Sequence, residues 1–248
     1  MTQAERPPSF VGVCGVQSVS DLRGLEQRAR RILPTSGYFL MAGTKQASVL
    51  SNFSGQLHGV RPFVHCDFST EMSFETIVFR NLELTARCVR GLQLNVLPWM
   101  EVDFAPLIRE IKRRYPQVMV TLQAHRRTMQ GSTPDQVASR LRDLPIDYIF
   151  FDPSQSRGRG YDVAEMTSYV EAVWQRLPKL GVAVAGGLGG QTMDALFRPL
   201  AKTYQGTSCD AFGKLHNPST GSLSWPSVDS YLRAWSECVR SDQNPTVH

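Results

Sequence analysis

The 248-residue chain lacks the features that mark several classes of protein. Its five cysteines are an odd number without zinc-type spacing, which argues against both a disulfide framework and a structural metal site. No apolar run reaches the roughly 18 residues that a membrane helix needs, and the N-terminus has no signal-peptide pattern. We therefore predict a cytoplasmic protein with reduced thiols, no membrane association and no bound metal.

Linkers and base-stacking surfaces are also missing. No Gly/Ser-rich or Pro-rich linker divides the chain, so we predict a single domain over residues 9–240 with flexible termini at 1–8 and 241–248. The net charge is +5, but the basic residues lie in helical patterns without the interleaved aromatic residues that base stacking requires. A nucleic-acid partner is therefore not expected. Whether the chain forms a homodimer is left open.

Short apolar runs alternate with longer amphipathic ones along the chain. Eight runs have the length of buried strands, and the predicted ranges are Phe10–Cys14, Tyr38–Ala42, Pro62–Cys66, Gly91–Val96, Val118–Gln123, Tyr148–Asp152, Val182–Ala185 and Ser208–Phe212. Helices are predicted at Leu22–Leu33, Phe74–Arg87, Phe104–Tyr115, Pro134–Leu144, Val163–Leu177, Met193–Thr203 and Val228–Val239, and the connection Ser48–Gly59 is poorly helical. At this length the alternation predicts a closed (β/α)8 barrel, with an open doubly wound sheet as the alternative.

Four glycines follow the seventh predicted strand. The segment Val182-Ala-Val-Ala-Gly-Gly-Leu-Gly-Gly-Gln-Thr-Met193 passes from an apolar run through these glycines into a helical pattern. Backbone exposed by glycine beside a helix N-terminus can direct several N–H groups at a phosphate. Gly186, Gly187 and Gly189 are therefore predicted to bind phosphate. The other interpretation is a tight turn between strand and helix.

Reactive side chains lie at the ends of other predicted strands. Cys14 and Asp152 end two of them, Asp210 lies in the last, and His125 follows the fifth. Because ligands bind at the C-terminal ends of barrel strands, these side chains are candidates for one site. A thiol, carboxylates and a phosphate cradle favour proton transfer on a phosphorylated sugar, and no dinucleotide fingerprint or other cofactor motif is present. The structural alternatives are a core thiol at Cys14, a loop tether at Asp210 and a solvated loop at His125.

Four motifs in order resemble phosphoribosylanthranilate isomerases. They cover the chain from about residue 10 to about residue 235. The first motif resembles the family's opening strand and helix start. The second resembles its strand that ends in an aspartate and the glycine-rich loop after that strand. The last two resemble its two phosphate-binding strand ends. In sequence order they are Val13-Cys-Gly-Val16 with Ser18 and Asp21, Phe150-Phe-Asp-Pro153 with Gly158-Arg-Gly-Tyr-Asp162, Ala185-Gly-Gly-Leu188, and Ser208-Cys-Asp-Ala211 with Gly213.

This resemblance implies an Amadori rearrangement of an N-glycosyl phosphoribose into a 1-amino-2-ketose, of the tryptophan-biosynthesis type. It implies that Asp152 is the general acid on the ring oxygen and that Cys14 is the base at C2. It also implies that Asp210 ends the last strand, that Gly213 belongs to a second phosphate-binding turn, and that both contact the phosphorylated substrate. The acid needs a raised pKa, which desolvation can supply, and the base needs a lowered one.

The chain differs from the family where the aglycone is bound. The family has an arginine after its second strand, whereas here Gly43-Thr-Lys-Gln-Ala47 makes Lys45 the cation at that place. We expect Lys45, His125 and Arg159 to offer positive charge to a substrate carboxylate. The remaining alternatives are another phosphosugar reaction on the same barrel, such as epimerisation or a lyase step, and a barrel that binds a phosphoribosyl ligand without turnover.

Overall fold

The computed structural model describes residues 6–34, 37–53, 55–68, 73–85, 87–95, 97–129, 131–153 and 160–240. Within them, eight parallel strands close into a barrel in chain order. The strands are β1 (Ser9–Cys14), β2 (Tyr38–Thr44), β3 (Val60–Asp67), β4 (Gly91–Asn95), β5 (Met119–His125), β6 (Tyr148–Asp152), β7 (Gly181–Ala185) and β8 (Ser208–Ala211). β1 pairs with both β2 and β8, so the sheet has no free edge. The predicted (β/α)8 barrel is confirmed, and the open-sheet alternative is wrong.

The helices of the described part lie between successive strands, except for the last one, which follows β8. They are α1 (Val19–Ile32), α2 (Ala47–Ser51), α3 (Phe74–Thr85), α4 (Ala105–Arg114), α5 (Arg126–Met129), α6 (Pro134–Leu141), α7 (Val163–Arg176), α8 (Met193–Leu196), α9 (Arg198–Thr203) and α10 (Trp225–Arg240). None of these described helices is both long and apolar enough to cross a membrane. The helix predicted over residues 193–203 is divided in two, because Pro199 has no N–H for the preceding turn and its ring clashes with that turn.

Hydroxyl and carboxylate caps fix where three helices begin. Ser18 Oγ accepts a hydrogen bond from the Asp21 N–H at the start of α1, 3.1 Å away. Thr133 and Gln136 form a reciprocal capping box at α6. Asp162 Oδ1 accepts from the Glu165 N–H at 2.9 Å at the start of α7. These side chains satisfy N–H groups that have no partner inside the helix.

Aromatic rings close the lower part of the barrel interior. Phe10 lies 5.5 Å from Phe39 and 5.2 Å from Tyr148 between ring centroids. Gly91 and Gly181 leave the space that the rings of Phe63 and Tyr148 fill, since a Cβ at either glycine would lie 2.2 Å or 2.3 Å from ring carbon. This packing fills the floor and leaves the C-terminal strand ends for polar side chains.

Three strands run further toward the mouth than the apolar runs predicted. β2 ends at Thr44, β3 at Asp67 and β5 at His125. The apolar runs stop earlier because the last inward-facing residues line a polar cavity while their backbone still pairs in the sheet. His125 is therefore the last residue of a strand rather than the first of a loop. The predicted end of β4, Val96, lies outside the described residues.

Candidate active site

A polar cavity of about 560 Å³ opens at the C-terminal mouth of the barrel. It is lined by side chains and backbone from β1 round to β8, and the predicted site residues among them are Cys14, Lys45, His125, Asp152, Gly186, Gly187, Asp210 and Gly213. Gly189 lies one residue beyond the lining residue Leu188, and Arg159 lies outside the described residues. The structure therefore places the thiol, the two carboxyl groups and the glycine segment at one mouth.

The Cys14 thiol lies against the carboxyl group of Asp210. Its Sγ is 3.1 Å from Oδ1 and 3.0 Å from Oδ2. The two strands pair so that Gly12 lies beside Asp210, and a Cβ at Gly12 would lie 2.3 Å from Asp210 Oδ1. Glycine at this position of β1 thus makes room for the carboxyl group next to the thiol.

The expectation of a lowered pKa for Cys14 is wrong. Burial, followed by the charge and hydrogen bond of Asp210 and the charge of Asp152, raises the pKa of the thiol well above its ordinary value. Lys45 acts in the opposite direction with a smaller effect. Burial and the two carboxyl groups outweigh Lys45, so Cys14 is protonated and donates its hydrogen bond to Asp210.

Asp210 is suited to exchange a proton near neutral pH. Burial raises its pKa to about 7, and the charge of Asp152 acts in the same direction. The hydrogen bond from Cys14 partly opposes this rise. A carboxyl group with such a pKa can accept a proton from the thiol at neutral pH and return it.

His65, at the end of the third predicted strand, contacts the thiol from the other side, a contact that the sequence did not predict. Its Nε2 lies 3.4 Å from Cys14 Sγ. Gly43 of β2 lies between them, since a Cβ there would be 2.5 Å from the imidazole nitrogen and 2.6 Å from the sulfur. Burial lowers the pKa of His65 to about 4, so the ring is neutral at physiological pH. In the sequence, the signal for this approach was Gly43, which directly follows the predicted apolar run Tyr38–Ala42.

Asp152 ends β6 inside the same cavity. Its side chain is buried, with 4% of the residue exposed, and Gln123 Nε2 donates to its Oδ2 at 3.1 Å. The pairing of β5 with β6 sets His125 beside Asp152. The carboxyl group is thus held by its neighbours and directed at the chamber that also contains Cys14 and Asp210.

The glycine segment after β7, the predicted phosphate cradle, turns sharply at the mouth of the barrel. Gly186 and Gly187 have φ values of 113° and 65°, which favour glycine strongly. Thr192 Oγ1 donates to the Gly187 carbonyl at 2.8 Å and closes the turn. The N–H groups of residues 187–189 make no hydrogen bond to another residue in the described part of the chain. They are therefore available to an anion.

Lys214 supplies positive charge at this cradle and was also missed. It belongs to a short 3-10 helix, Gly213–Leu215, and lines the cavity. A Cβ at Gly189 would lie 2.9 Å from Lys214 Cβ, so glycine lets the turn after β8 approach the cradle. The predicted long helix behind the glycines is only the four-residue α8 here, so its dipole adds little to anion binding.

On the opposite side of the mouth, an ion pair and a hydrogen bond join Lys45, Asp67 and Asn95. Lys45 Nζ lies 2.7 Å from Asp67 Oδ2, and Asn95 Nδ2 donates to Asp67 Oδ1 at 2.9 Å. Burial acts to raise the pKa of Asp67, but the hydrogen bonds from Lys45 and Asn95 outweigh burial and lower it. Asp67 therefore stays ionised beside Lys45. Within the described residues, no group of three His, Cys, Asp or Glu side chains is arranged to hold a metal ion.

The closed sheet and its helical crossovers place the chain among the (β/α)8 barrels. No protein-family model matches the chain, and no curated protein matches it. A solved structure that is similar to it is the phosphoribosyl anthranilate isomerase from Thermococcus kodakaraensis. The TM-score is 0.58, the identity is 14%, and the match covers 92% of this chain and 98% of that chain. At this identity the similarity establishes the barrel fold.

Proposed function

We propose that this barrel is an isomerase that converts an N-glycosylated phosphoribose into a 1-amino-1-deoxy-ketose phosphate, of the phosphoribosylanthranilate isomerase type. One observation carries the proposal. A single cavity holds a glycine cradle, the buried carboxyl group of Asp152 and the thiol–carboxyl pair of Cys14 and Asp210. The resemblance of the sequence motifs to those isomerases and the similar barrel fold support the same reaction.

The cradle and Lys214 would hold the phosphate of the substrate. Three backbone N–H groups and an ammonium group suit the oxygens of a phosphate monoester. Because these groups lie on the β7–β8 side, they fix one end of the sugar at the mouth that Cys14 and Asp152 line. The binding energy of the phosphate then holds the reacting carbons in place.

The reaction needs one acid and one base and no further reactant. In its protonated form Asp152 donates a proton to the ring oxygen as the C1–O bond breaks, and the nitrogen lone pair forms the C1=N iminium ion. The base removes the proton on C2, and the electrons of that bond form the C1=C2 double bond and neutralise the nitrogen. The resulting enolamine takes up a proton at C1 and releases its hydroxyl proton, which leaves a ketone at C2.

Cys14 acts as this base only together with Asp210. A protonated thiol cannot accept a proton, so its own proton must first leave. Asp210 lies 3.0 Å away and has a pKa of about 7, which makes it the acceptor for that proton. The thiolate so formed then takes the proton from C2.

Turnover of two N-glycosyl phosphoriboses tests the proposal. Their aglycones are anthranilate and its amide, 2-aminobenzamide. We expect Cys14→Ser and Asp152→Asn each to lower kcat by about 100-fold or more, because each removes a proton-transfer group. Cys88→Ser is the matched control, since Cys88 donates to the Leu50 carbonyl at 3.0 Å outside the cavity, and it should leave kcat unchanged.

A second candidate is a barrel that binds a phosphoribosyl ligand without turnover. The protonated state of Cys14 favours this reading, because the thiol by itself is a poor base. Such a barrel would be thermally stabilised by ribose 5-phosphate and yet form no ketose from either substrate. An active isomerase would show both properties.

A further inference from the structure

We infer that the β2–β4 side of the cavity selects an aglycone that is neutral or cationic and donates hydrogen bonds, such as a carboxamide or an amine, over an aglycone that carries a carboxylate. This inference rests on the proposed function, which assigns the phosphate to the β7–β8 side. It names the chemical class of the group attached to the sugar nitrogen.

The charged side chains around the cavity disfavour a carboxylate on the β2–β4 side. The lysines among the described lining residues are Lys45 and Lys214, against carboxyl groups at Asp67, Asp152 and Asp210. Lys214 lies at the phosphate cradle. Lys45 is the lysine on the opposite side, and Asp67 forms an ion pair with it at 2.7 Å. A carboxylate brought to Lys45 would therefore also meet the negative charge of Asp67.

The position of Asp67 is fixed by a second contact. Asn95 donates to its Oδ1 while Lys45 occupies its Oδ2, so both carboxylate oxygens are engaged. The bond to a carboxylate also fixes the orientation of the Asn95 amide, because only its nitrogen can donate. The carbonyl oxygen of Asn95 is consequently an acceptor.

Two buried amide oxygens on β4 favour a ligand that donates hydrogen bonds. Asn95 Oδ1 and Gln93 Oε1 have no hydrogen-bond partner within the described residues, and both residues line the cavity. They are neighbours on β4, which pairs Asn95 with Asp67 and Gln93 with His65. His65 is neutral at physiological pH and adds no positive charge. Two amide oxygens and a carboxylate together favour a ligand that brings N–H or O–H donors.

Two stable ligands test this selectivity apart from turnover. They are the reduced, open-chain forms of N-(5-phosphoribosyl)anthranilate and of N-(5-phosphoribosyl)-2-aminobenzamide, which differ only as carboxylate and carboxamide. Calorimetric titration of the full-length protein should give a Kd for the carboxamide that is about tenfold lower. Asp67→Asn releases Lys45 and removes the negative charge, so it should reverse or abolish that preference.

One further variant tests the role of Lys45, and another serves as the control. Lys45→Met removes the cation, so it should keep carboxamide binding and weaken carboxylate binding further. Asp135→Asn is the matched control, because Asp135 forms an exposed ion pair with Arg176 at 2.6 Å between α6 and α7, and it should leave the ratio of the two Kd values unchanged.

A carboxylate ligand that binds wild-type protein as tightly as the carboxamide would overturn the inference, as would failure of both ligands to bind. Failure of the proposed function has a different signature. In that case the Kd ratio and its reversal in Asp67→Asn would be observed, while neither N-glycosyl substrate would give a ketose.

Discussion

Cys14 keeps its proton because it is buried beside Asp210, which lies 196 positions away in the sequence. The sequence motif places a cysteine at the end of the first strand, but its pKa depends on Asp210 and on burial inside the closed barrel. Sequence reasoning therefore found the residue and expected the wrong direction for its pKa. The contact of His65 with the thiol and the approach of Lys214 to the glycine turn were not predicted for a similar reason, since both join segments that are far apart in the sequence.

The pairing of Cys14 with Asp210 predicts a pH profile. As the pH falls through about 7, Asp210 becomes protonated and can no longer take the thiol proton. We therefore expect kcat/KM for the carboxamide substrate to fall with decreasing pH below about 7 in wild-type protein. In Asp210→Asn this limb should be absent and kcat/KM should be lower throughout. A wild-type profile that is flat from about pH 6 to about pH 8 would contradict the role of Asp210.

The same carboxyl group affects stability. Its folded pKa of about 7 lies above its ordinary value of 3.8, so between these pH values the folded protein binds more protons than the unfolded chain. Asp210 therefore lowers the free energy of unfolding as the pH rises from about 4 to about 7. The free energy of unfolding of Asp210→Asn minus that of wild type should therefore increase by roughly 2 kcal/mol from about pH 5 to about pH 8.

Urea unfolding at the two pH values measures this gain. Asp135→Asn removes an exposed carboxylate and serves as the control, with no comparable change between the two pH values expected. An equal pH dependence of Asp210→Asn and wild type would show that the pKa of Asp210 is not raised.

Among the elements, apolar runs predicted every strand of the barrel. The predicted bounds were wrong for strands and a helix that lie next to the cavity. Strand ends lined by polar residues were read as loops, and the helix behind the glycines was predicted to pass through Pro199. The run of glycines after a buried strand predicted a sharp turn there, and the positive φ values of Gly186 and Gly187 agree with it, while their binding of phosphate remains a prediction.

The cradle after β7 predicts a specific loss of phosphate affinity. Gly187 has a φ of 65°, so Gly187→Ala strains the turn and shifts the neighbouring N–H groups. We expect the Kd for ribose 5-phosphate to rise by about tenfold or more, because phosphate contacts depend on aligned donors. Titration calorimetry measures this change.

Gly206→Ala is the matched control for backbone strain. Gly206 has a φ of 92°, and a Cβ there would meet only Ser9 Oγ at 3.5 Å, away from the cavity. Its ribose 5-phosphate affinity should equal that of wild type even though its stability falls. Equal losses of affinity in the two variants would show that strain, rather than the cradle, is responsible.

For the whole molecule, strand order and closure followed from the alternation of strands and helices, since a parallel sheet of this size closes most simply as a barrel. The register between β1 and β8 did not follow, because nothing local specifies which residues of the first and last strands meet. That register brings Gly12 beside Asp210 and so creates the thiol–carboxyl pair.

The distribution of charge predicts the absence of nucleic-acid binding. Arg113 and Arg114 pair with Glu110, and Arg28 and Arg31 pair with Asp229, so much of the positive charge on the helices is matched locally. We expect no binding of a fluorescent DNA duplex at about 150 mM salt. Fluorescence anisotropy checks this, and an affinity that falls steeply with added salt would contradict it.

The most direct measurement follows the C2 position of N-(5-phosphoribosyl)-2-aminobenzamide and of its anthranilate counterpart, each labelled with deuterium at C2, by NMR. With wild-type protein, at least one substrate should lose its C2 deuterium and form the ketose, whereas Cys14→Ser and Asp210→Asn should slow both changes together. Retention of the label with no ketose from either substrate, under conditions in which ribose 5-phosphate binds, would contradict the proposed isomerase.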